Sequence, residues 1–402
     1  MLVGIVGKPN VGKSTFFSAA TLKNVPIADY PFTTINPNLG MGYVRTRCVC
    51  KEMGVTDTPR NSVCSDGIRL IPVKLVDVAG LVSGAAAGRG RGNQFLDELR
   101  QADALIHVVD ASGGTDEEGR KVETGSNDPV ADVRMVENEL DLWIFGIISK
   151  DWEKSARLAE QTGSSMVAQL AQRLSGLGIG EGAIEDALMR LKLRADKPVG
   201  WNEGDLMGLV RVLRETNKPS LIAANKADLP GAPARIESLR KTEKTVVPCA
   251  AEAELLLRRA SEHGLIRYTP GDRSFEVIKP DLTPPQTRAL QLVKEKVLDA
   301  YGATGVQQAI DQAYFGLLKA IVAYPVEDET GLSDKNGNVL PDAYVMNGGS
   351  TALDLAKKIH TDLAQGFLYA IDARTGMRLS GGYTLKNGDI LKIVSSRSAK
   401  HG

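Results

Sequence analysis

The sequence predicts an α/β protein: a domain on a mostly parallel sheet, a mainly helical insertion inside it, and a small β-rich module toward the C-terminal end. Three observations predict it. Apolar runs at residues 1–6, 73–77, 104–110 and 219–225 each close on a glycine-rich or polar turn and alternate with helical patterns. More than a hundred residues separate the last two runs, where a strand–helix–strand unit needs about 30. Beyond Pro325 the pattern changes to short strands and tight turns.

Composition sets the frame for these elements. The chain has 402 residues, 43% hydrophobic and 24% charged, the balance of a globular protein of two or three domains. Forty-nine basic residues oppose forty-nine acidic ones, so no global field favours nucleic acid or an anionic membrane. No apolar run is long enough to span a bilayer, and residues 1–6 lack the charged and apolar regions of a signal peptide. A cytoplasmic monomer is the expectation. Cys48, Cys50 and Cys64 lie close together in the sequence, with Cys249 far downstream. No histidine nearby completes a four-ligand zinc set, so reduced thiols are the expected state.

The first apolar run leads into Gly7-Lys8-Pro9-Asn10-Val11-Gly12-Lys13-Ser14, which matches GxxxxGK[ST], and a helical stretch begins at Thr15. Strand, loop and helix in that order make a phosphate cradle. Glycines at both ends let backbone N–H groups converge on phosphate oxygens at the positive end of a helix. Lys13 supplies a point charge for the β- and γ-phosphates. Ser14 offers a hydroxyl to Mg²⁺, an ion that prefers oxygen ligands.

The second run ends on Asp77, placed to hold Mg²⁺ through water, and Gly80 lets a backbone N–H approach the γ-phosphate. The run at 219–225 closes on Asn225-Lys226-Ala227-Asp228, an NKxD tetrad. Its aspartate accepts from the N1 and exocyclic N2 donors that guanine presents and adenine lacks. Asn225 is expected at the other edge of the base, with the Lys226 stem over the ring. A further strand end at Cys249-Ala250-Ala251 offers backbone to close over the base. GTP or GDP is therefore the expected ligand.

At this point the chain resembles the Obg-like branch of translation-associated GTPases, specifically its archaeal YchF-related members. The resemblance rests on Asp29-Tyr-Pro-Phe-Thr-Thr-Ile-Asn-Pro-Asn38, Asp77-Val-Ala-Gly-Leu-Val, Gly88-Arg-Gly-Arg-Gly-Asn-Gln-Phe-Leu96 and Gln101-Ala-Asp-Ala-Leu-Ile-His-Val-Val-Asp-Ala-Ser112. It implies that Thr34 is a switch threonine that binds Mg²⁺ and senses the γ-phosphate. It implies slow GTP hydrolysis, with Lys13, Thr34 and Gly80 as the catalytic groups, and action with the ribosome or RNA. Leu81 stands where other GTPases place a water-orienting glutamine, and Ala86-Ala87 replace a His-Glu pair found in many members. Those departures keep open a nucleotide-gated scaffold with negligible intrinsic hydrolysis. Relatives with glutamate in place of Asp228 prefer ATP, which makes an ATP-preferring protein the other alternative. Asn10 either helps bind potassium, as in some related GTPases, or simply tolerates its loop conformation. Equal GTPase rates in KCl and NaCl would remove the potassium reading.

The chain is thus read as a P-loop GTPase domain at 1–280 with the insertion at about 129–205, and a helical connector at 281–322. A module at 323–397 resembles a TGS domain, a β-grasp fold. Exposure of Lys357, Lys358, Arg374, Arg378 and Lys392 on one face would give it a local basic patch. No second catalytic constellation is visible: His107, His263, His360 and His401 are scattered, and His107 sits in an apolar strand as a core residue.

Overall fold

The structure is a computed structural model that describes residues 1–21, 38–81, 84 and 98–396. Strand β1 (Leu2–Val6) lies at the centre of the larger sheet, parallel to β4 (Ile68–Asp77) on one side and to β5 (Ala104–Asp110) on the other. The sheet continues in parallel through β6 (Ser220–Asn225) to β7 (Val246–Pro248). On the other flank β2 (Leu39–Arg47) runs antiparallel to β4, and short β3 (Val63–Ser65) also pairs with β4. Central strands covered on both faces have no polar side to show. Accordingly, β5 is buried at all seven positions, His107 included.

Helix α1 (Lys13–Thr21) follows the first loop, and α2 (Val49–Met53) follows β2. The helical excess between β5 and β6 divides into two kinds of helix. α3 (Pro129–Ser149) starts on a proline behind the Asp128 cap, whose carboxylate accepts from the Val130 N–H. From α3, Val136, Leu140 and Trp143 pack with Val6, Val76 and Leu105 of the sheet. Between it and the sheet's return lie α4 (Trp152–Thr162), α5 (Met166–Leu174) and α6 (Glu181–Leu191), which bury Ala156, Leu170 and Leu188. Next, α7 (Glu203–Asn217) is closed by a reciprocal Asn202–Asp205 capping box and returns Leu206, Leu209 and Leu213 to the same core. Of these helices α3 packs on β5, and α7 packs on α3 and α6.

α8 (Ala232–Arg240) and α9 (Ala251–Glu262) follow β6 and β7. The connector holds α10 (Pro284–Val293) and α11 (Val306–Asp311), each running into a π-helical turn, at Lys294–Leu298 and Gln312–Leu317. A small antiparallel pair, β8 (Ile266–Arg267) and β9 (Glu276–Val277), precedes it.

The C-terminal β-grasp module orders its strands β11 (Tyr344–Met346), β10 (Ile321–Val326), β14 (Asp389–Ser395), β12 (Phe367–Asp372) and β13 (Arg378–Leu379). Only β10 and β14 run parallel within it. Helix α12 (Ala352–Ile359) starts at a Thr351–Asp354 capping box and packs Leu355 against Ala370 and Leu391. A short helix α13 (Thr361–Gln365) follows directly. Of the basic residues weighed for a patch here, Lys392 pairs with Glu329, Arg374 pairs with Glu52, and Arg378 lies over the Tyr369 ring. Lys357 and Lys358 remain exposed on α12. A continuous basic stripe is not what these five residues form.

This module does not stand apart. Tyr324, Val326, Leu340 and Ile390 belong to the same buried cluster as Val3, Ile5 and Phe16.

Candidate nucleotide site

The loop after β1 can take its course only because of two glycines. A Cβ on Gly7 would fall 2.5 Å from the Val108 carbonyl oxygen of β5. Gly12 has φ +91°, and a Cβ there would meet Asn225 Nδ2 at 2.3 Å. Between them the chain turns at Asn10, itself left-handed at φ 63°, and enters α1 at Lys13. Val11 is buried under the turn, while Ser14 stands exposed in the first helical turn with Thr15 behind it.

Strand β4 delivers its acid to the same mouth. Lys13 Nζ pairs with the Asp77 carboxylate, so the cation and the acid converge at one point. The next turn folds back over the loop: the Leu81 N–H donates to the Gly7 carbonyl at 3.1 Å. Gly80 faces Pro9, where a Cβ would lie 3.3 Å from the proline ring. Leu81 itself is buried with Val6, Val76 and Leu105. Its side chain belongs to the core.

Lys8 also lies in the loop, yet its side chain points away from the mouth. It is buried, donating to the Thr115 carbonyl at 2.7 Å and to Asp132 at 2.8 Å. Burial pushes the Asp132 carboxyl up against the pull of Lys8. Lys8 therefore offers a nucleotide only its backbone. Asn10 donates its side-chain N–H to the Gly119 carbonyl at 2.7 Å. The segment after β5 thus clasps the loop from outside.

The base end is built from long-range contacts. Asn225 is buried; its Nδ2 donates to the Val11 carbonyl at 2.9 Å and its Oδ1 accepts from the Ala251 N–H at 3.0 Å. Asn225 is thus a strut between the phosphate loop and the loop after β7, with one hydrogen of its two-donor amide given to Val11. The Ala250 N–H is likewise taken, by the Thr304 carbonyl at 2.8 Å. Both alanines are buried, so the expected backbone cover from Ala250-Ala251 is engaged within the protein.

Lys226, at φ 60°, reaches across to the Asn10 carbonyl at 3.1 Å and to Asp110 at 2.7 Å. Burial would raise the Asp110 carboxyl, but hydrogen bonds from Lys226, Ser112 and Thr115 hold it below its usual range. Asp228 is half-buried. Beside it the Tyr301 hydroxyl donates to the Ala227 carbonyl at 2.9 Å, its own pKa raised by burial and then by the Asp228 charge. Burial also drives His107 down to about 3, leaving a neutral core histidine.

Sequence reasoning missed the Asp110–Thr115–Lys226 network and the connector residues Tyr301 and Thr304. Asp110 ends an apolar strand as Asp77 does, and that shared signal was there to find. Thr34 and Ala86-Ala87 lie outside the described residues.

Three stretches of the chain match known families. Residues 2–136 match the family described as "50S ribosome-binding GTPase", residues 223–328 "Obg-like GTPase YGR210-like, G4 motif-containing domain", and residues 337–395 "TGS domain". The chain is 52% identical over 398 residues to an uncharacterised GTP-binding protein of Methanocaldococcus jannaschii, covering 98% of this chain and 99% of that one. Its identity to the ribosome-binding ATPase YchF of Bacillus subtilis is 27% over 390 residues, or 95% and 91% of the two chains. Among solved structures, a GTP-binding protein from Pyrococcus horikoshii OT3 superposes with a TM-score of 0.76 at 43% identity, covering 98% of this chain and all of that one.

Proposed function

The chain belongs to the Obg-like, YchF-related GTPases that end in a TGS domain, and from that premise we propose that it binds GTP with Mg²⁺ and hydrolyses it slowly while acting with the ribosome or RNA. The observation that carries the reading is the convergence of Lys13, Asp77 and the Gly80 turn on one loop mouth.

Ser14 and Asp77 offer hard oxygen donors, the set that suits Mg²⁺, with Thr34 as the third group assigned by resemblance. When bound, that ion would neutralise charge on the phosphates. Lys13 exchanges its carboxylate partner for β- and γ-phosphate oxygens. The loop's backbone N–H groups hold the phosphates at the start of α1. The Gly80 amide binds a γ-phosphate oxygen where a side chain would obstruct it. With Leu81 turned into the core, no residue at that position aligns the attacking water. Rate then comes from positioning and charge alone, which supports slow turnover.

Guanine selection rests on Asp228, whose carboxylate accepts from N1 and N2 of the base. An ATP reading is supported by the names of several relatives as ATPases, the B. subtilis protein among them. Titration calorimetry with GTP, GDP and ATP in Mg²⁺, on wild type and Asp228→Glu, separates the two. Guanine preference that collapses in Asp228→Glu is expected. Equal binding of ATP by wild type would return the protein to the ATP-preferring relatives. Association with the ribosome is supported by the names of relatives such as the ribosome-binding B. subtilis protein; co-sedimentation with GTP against GDP tests it.

A further inference from the structure

At the β2 edge of the larger sheet, far along the sequence from the nucleotide loops, three thiols and a carboxylate meet. Cys48 precedes α2, Cys50 lies within it, Asp57 sits on the following loop, and Cys64 is in β3. Their ligand atoms all lie within 4.8 Å of one another. We propose that Cys48, Cys50, Cys64 and Asp57 form a structural binding site for a single thiophilic divalent cation, with Zn²⁺ the natural occupant.

The geometry matches one tetrahedral ion. A zinc with sulfur ligands at about 2.3 Å has sulfur atoms roughly 3.8 Å apart along each edge of its tetrahedron. Cys50 Sγ and Cys64 Sγ are 3.9 Å apart, and Cys48 Sγ lies 3.2 Å from Asp57 Oδ2. A group this compact encloses one ion rather than a polynuclear iron–sulfur cluster. Three soft thiolates with one carboxylate suit zinc over the hard ions Mg²⁺ and Ca²⁺.

The surroundings supply what such a centre needs from its neighbours. A divalent ion with three thiolates and one carboxylate carries a net charge of −2. Arg69, fully buried, brings a cation: its Nη1 lies 2.6 Å from Asp57 Oδ2 and 3.9 Å from Cys48 Sγ. Its other nitrogens are held by Ser62 Oγ and the Leu340 carbonyl, so the guanidinium is fixed in place. The Tyr324 hydroxyl is buried, lacks a hydrogen bond within normal limits, and lies beside the Cys48 sulfur. A thiolate there would accept its O–H, as ligating groups ordinarily take support from a surrounding shell. Cys64 and Asp57 are only half-buried, which leaves the ion a way in.

The competing account is an Asp57–Arg69 ion pair among neutral thiols. It leaves the Tyr324 hydroxyl unexplained and gives no reason for three sulfurs to meet. The site also has a place in the architecture. The loop that carries Asp57 forms a seam with the C-terminal module: Thr58 N–H donates to the Val339 carbonyl at 2.9 Å and Arg60 N–H to the Pro341 carbonyl at 2.7 Å. An ion joining Asp57 to β3 and α2 would pin that seam.

The test uses the full-length chain without a histidine tag, loaded with Zn²⁺ or Co²⁺ alone and dialysed against a weak chelator. One equivalent of tightly held zinc is expected, released by a mercurial reagent as the thiols react. Co²⁺ should give the intense sulfur-to-cobalt charge-transfer band of a tetrahedral thiolate site. Cys64→Ser, at a half-exposed position, should keep the folded circular-dichroism spectrum yet lose the stable equivalent and most of that band. Asp57→Ala should bind the ion more weakly with the band retained. Wild type that holds no zinc, and whose cysteines react fully without a metal-releasing reagent, would overturn the proposal. So would Cys64→Ser that binds Zn²⁺ as tightly as wild type.

Discussion

The two ends of the nucleotide site are made in different ways. At the phosphate end, a run of consecutive residues forms the loop: two glycines shape it, and the Lys13–Asp77 ion pair joins the start of α1 to the end of β4. At the base end, nearly every polar group is tied to something remote. Asn225 spans the phosphate loop and the loop after β7, and the Ala250 amide rests on Thr304 of the connector. Gly305 approaches so closely that a Cβ would fall 1.9 Å from the Pro248 carbonyl oxygen. The phosphate end is a local device, whereas the base end is a junction between the nucleotide domain and the connector.

That contrast can be broken or sharpened by substitution. The largest effect is expected at the phosphate end. Lys13→Ala should cut single-turnover hydrolysis about 10²–10³-fold, the usual cost of losing one preorganised charge donor. Turnover close to wild type would mean that Lys13 does not meet the phosphates.

Asn225→Ala should behave in the opposite sense. It leaves the Val11 carbonyl and the Ala251 N–H unpaired in a buried place, costing about 1–3 kcal/mol of stability before any nucleotide is added. Chemical denaturation of the nucleotide-free chain reads this directly. An unchanged midpoint would show that the strut carries no load and that the two ends are built alike.

A pH-dependent effect tests the connector's hold. Asp311, at the end of α11, accepts from the Arg45 N–H at 2.7 Å and from Gln307 at 2.9 Å, and burial drives its carboxyl from 3.8 up to about 7. The folded chain then keeps a proton that the unfolded chain releases. Its contribution to stability is full below about pH 4 and is lost as pH rises toward 7. Asp311→Asn should flatten the fall in stability across that window by up to about 1.4 kcal/mol per pH unit. Parallel wild-type and variant curves between pH 4 and 7 would sink the assignment.

How much was legible in the sequence follows the same line. The Gly7–Ser14 loop, Asp77 and the Asn225–Asp228 tetrad could be read because motif residues are consecutive and sit at strand ends. The tetrad is read as a unit and gives no hint that Asn225 also braces the site, because the partners it holds lie 214 and 26 residues away. Lys8 went unnoticed as a core residue because Thr115 and Asp132 are equally remote. The helical insertion is visible as excess length, but periodicity does not tell that α3 packs on β5 while α7 packs on α3 and α6. The cysteines lack the paired spacing and the histidine that mark a zinc set in a sequence, and the carboxylate beside them, Asp57, has no signature of its own. The β-grasp module was legible as short strands, yet its basic residues are partly committed to Glu52 and Glu329, which charge counting does not reveal.

The shared cluster that runs from Val3 and Ile5 to Tyr324 and Ile390 has a thermodynamic consequence. Two sheets that bury their apolar faces against one another cannot melt in sequence, because losing either one wets the interior of the other. Heat should therefore find a single cooperative transition where a chain of tethered modules would give two. Whatever grips the C-terminal sheet from outside would then raise the melting point of the nucleotide domain as well.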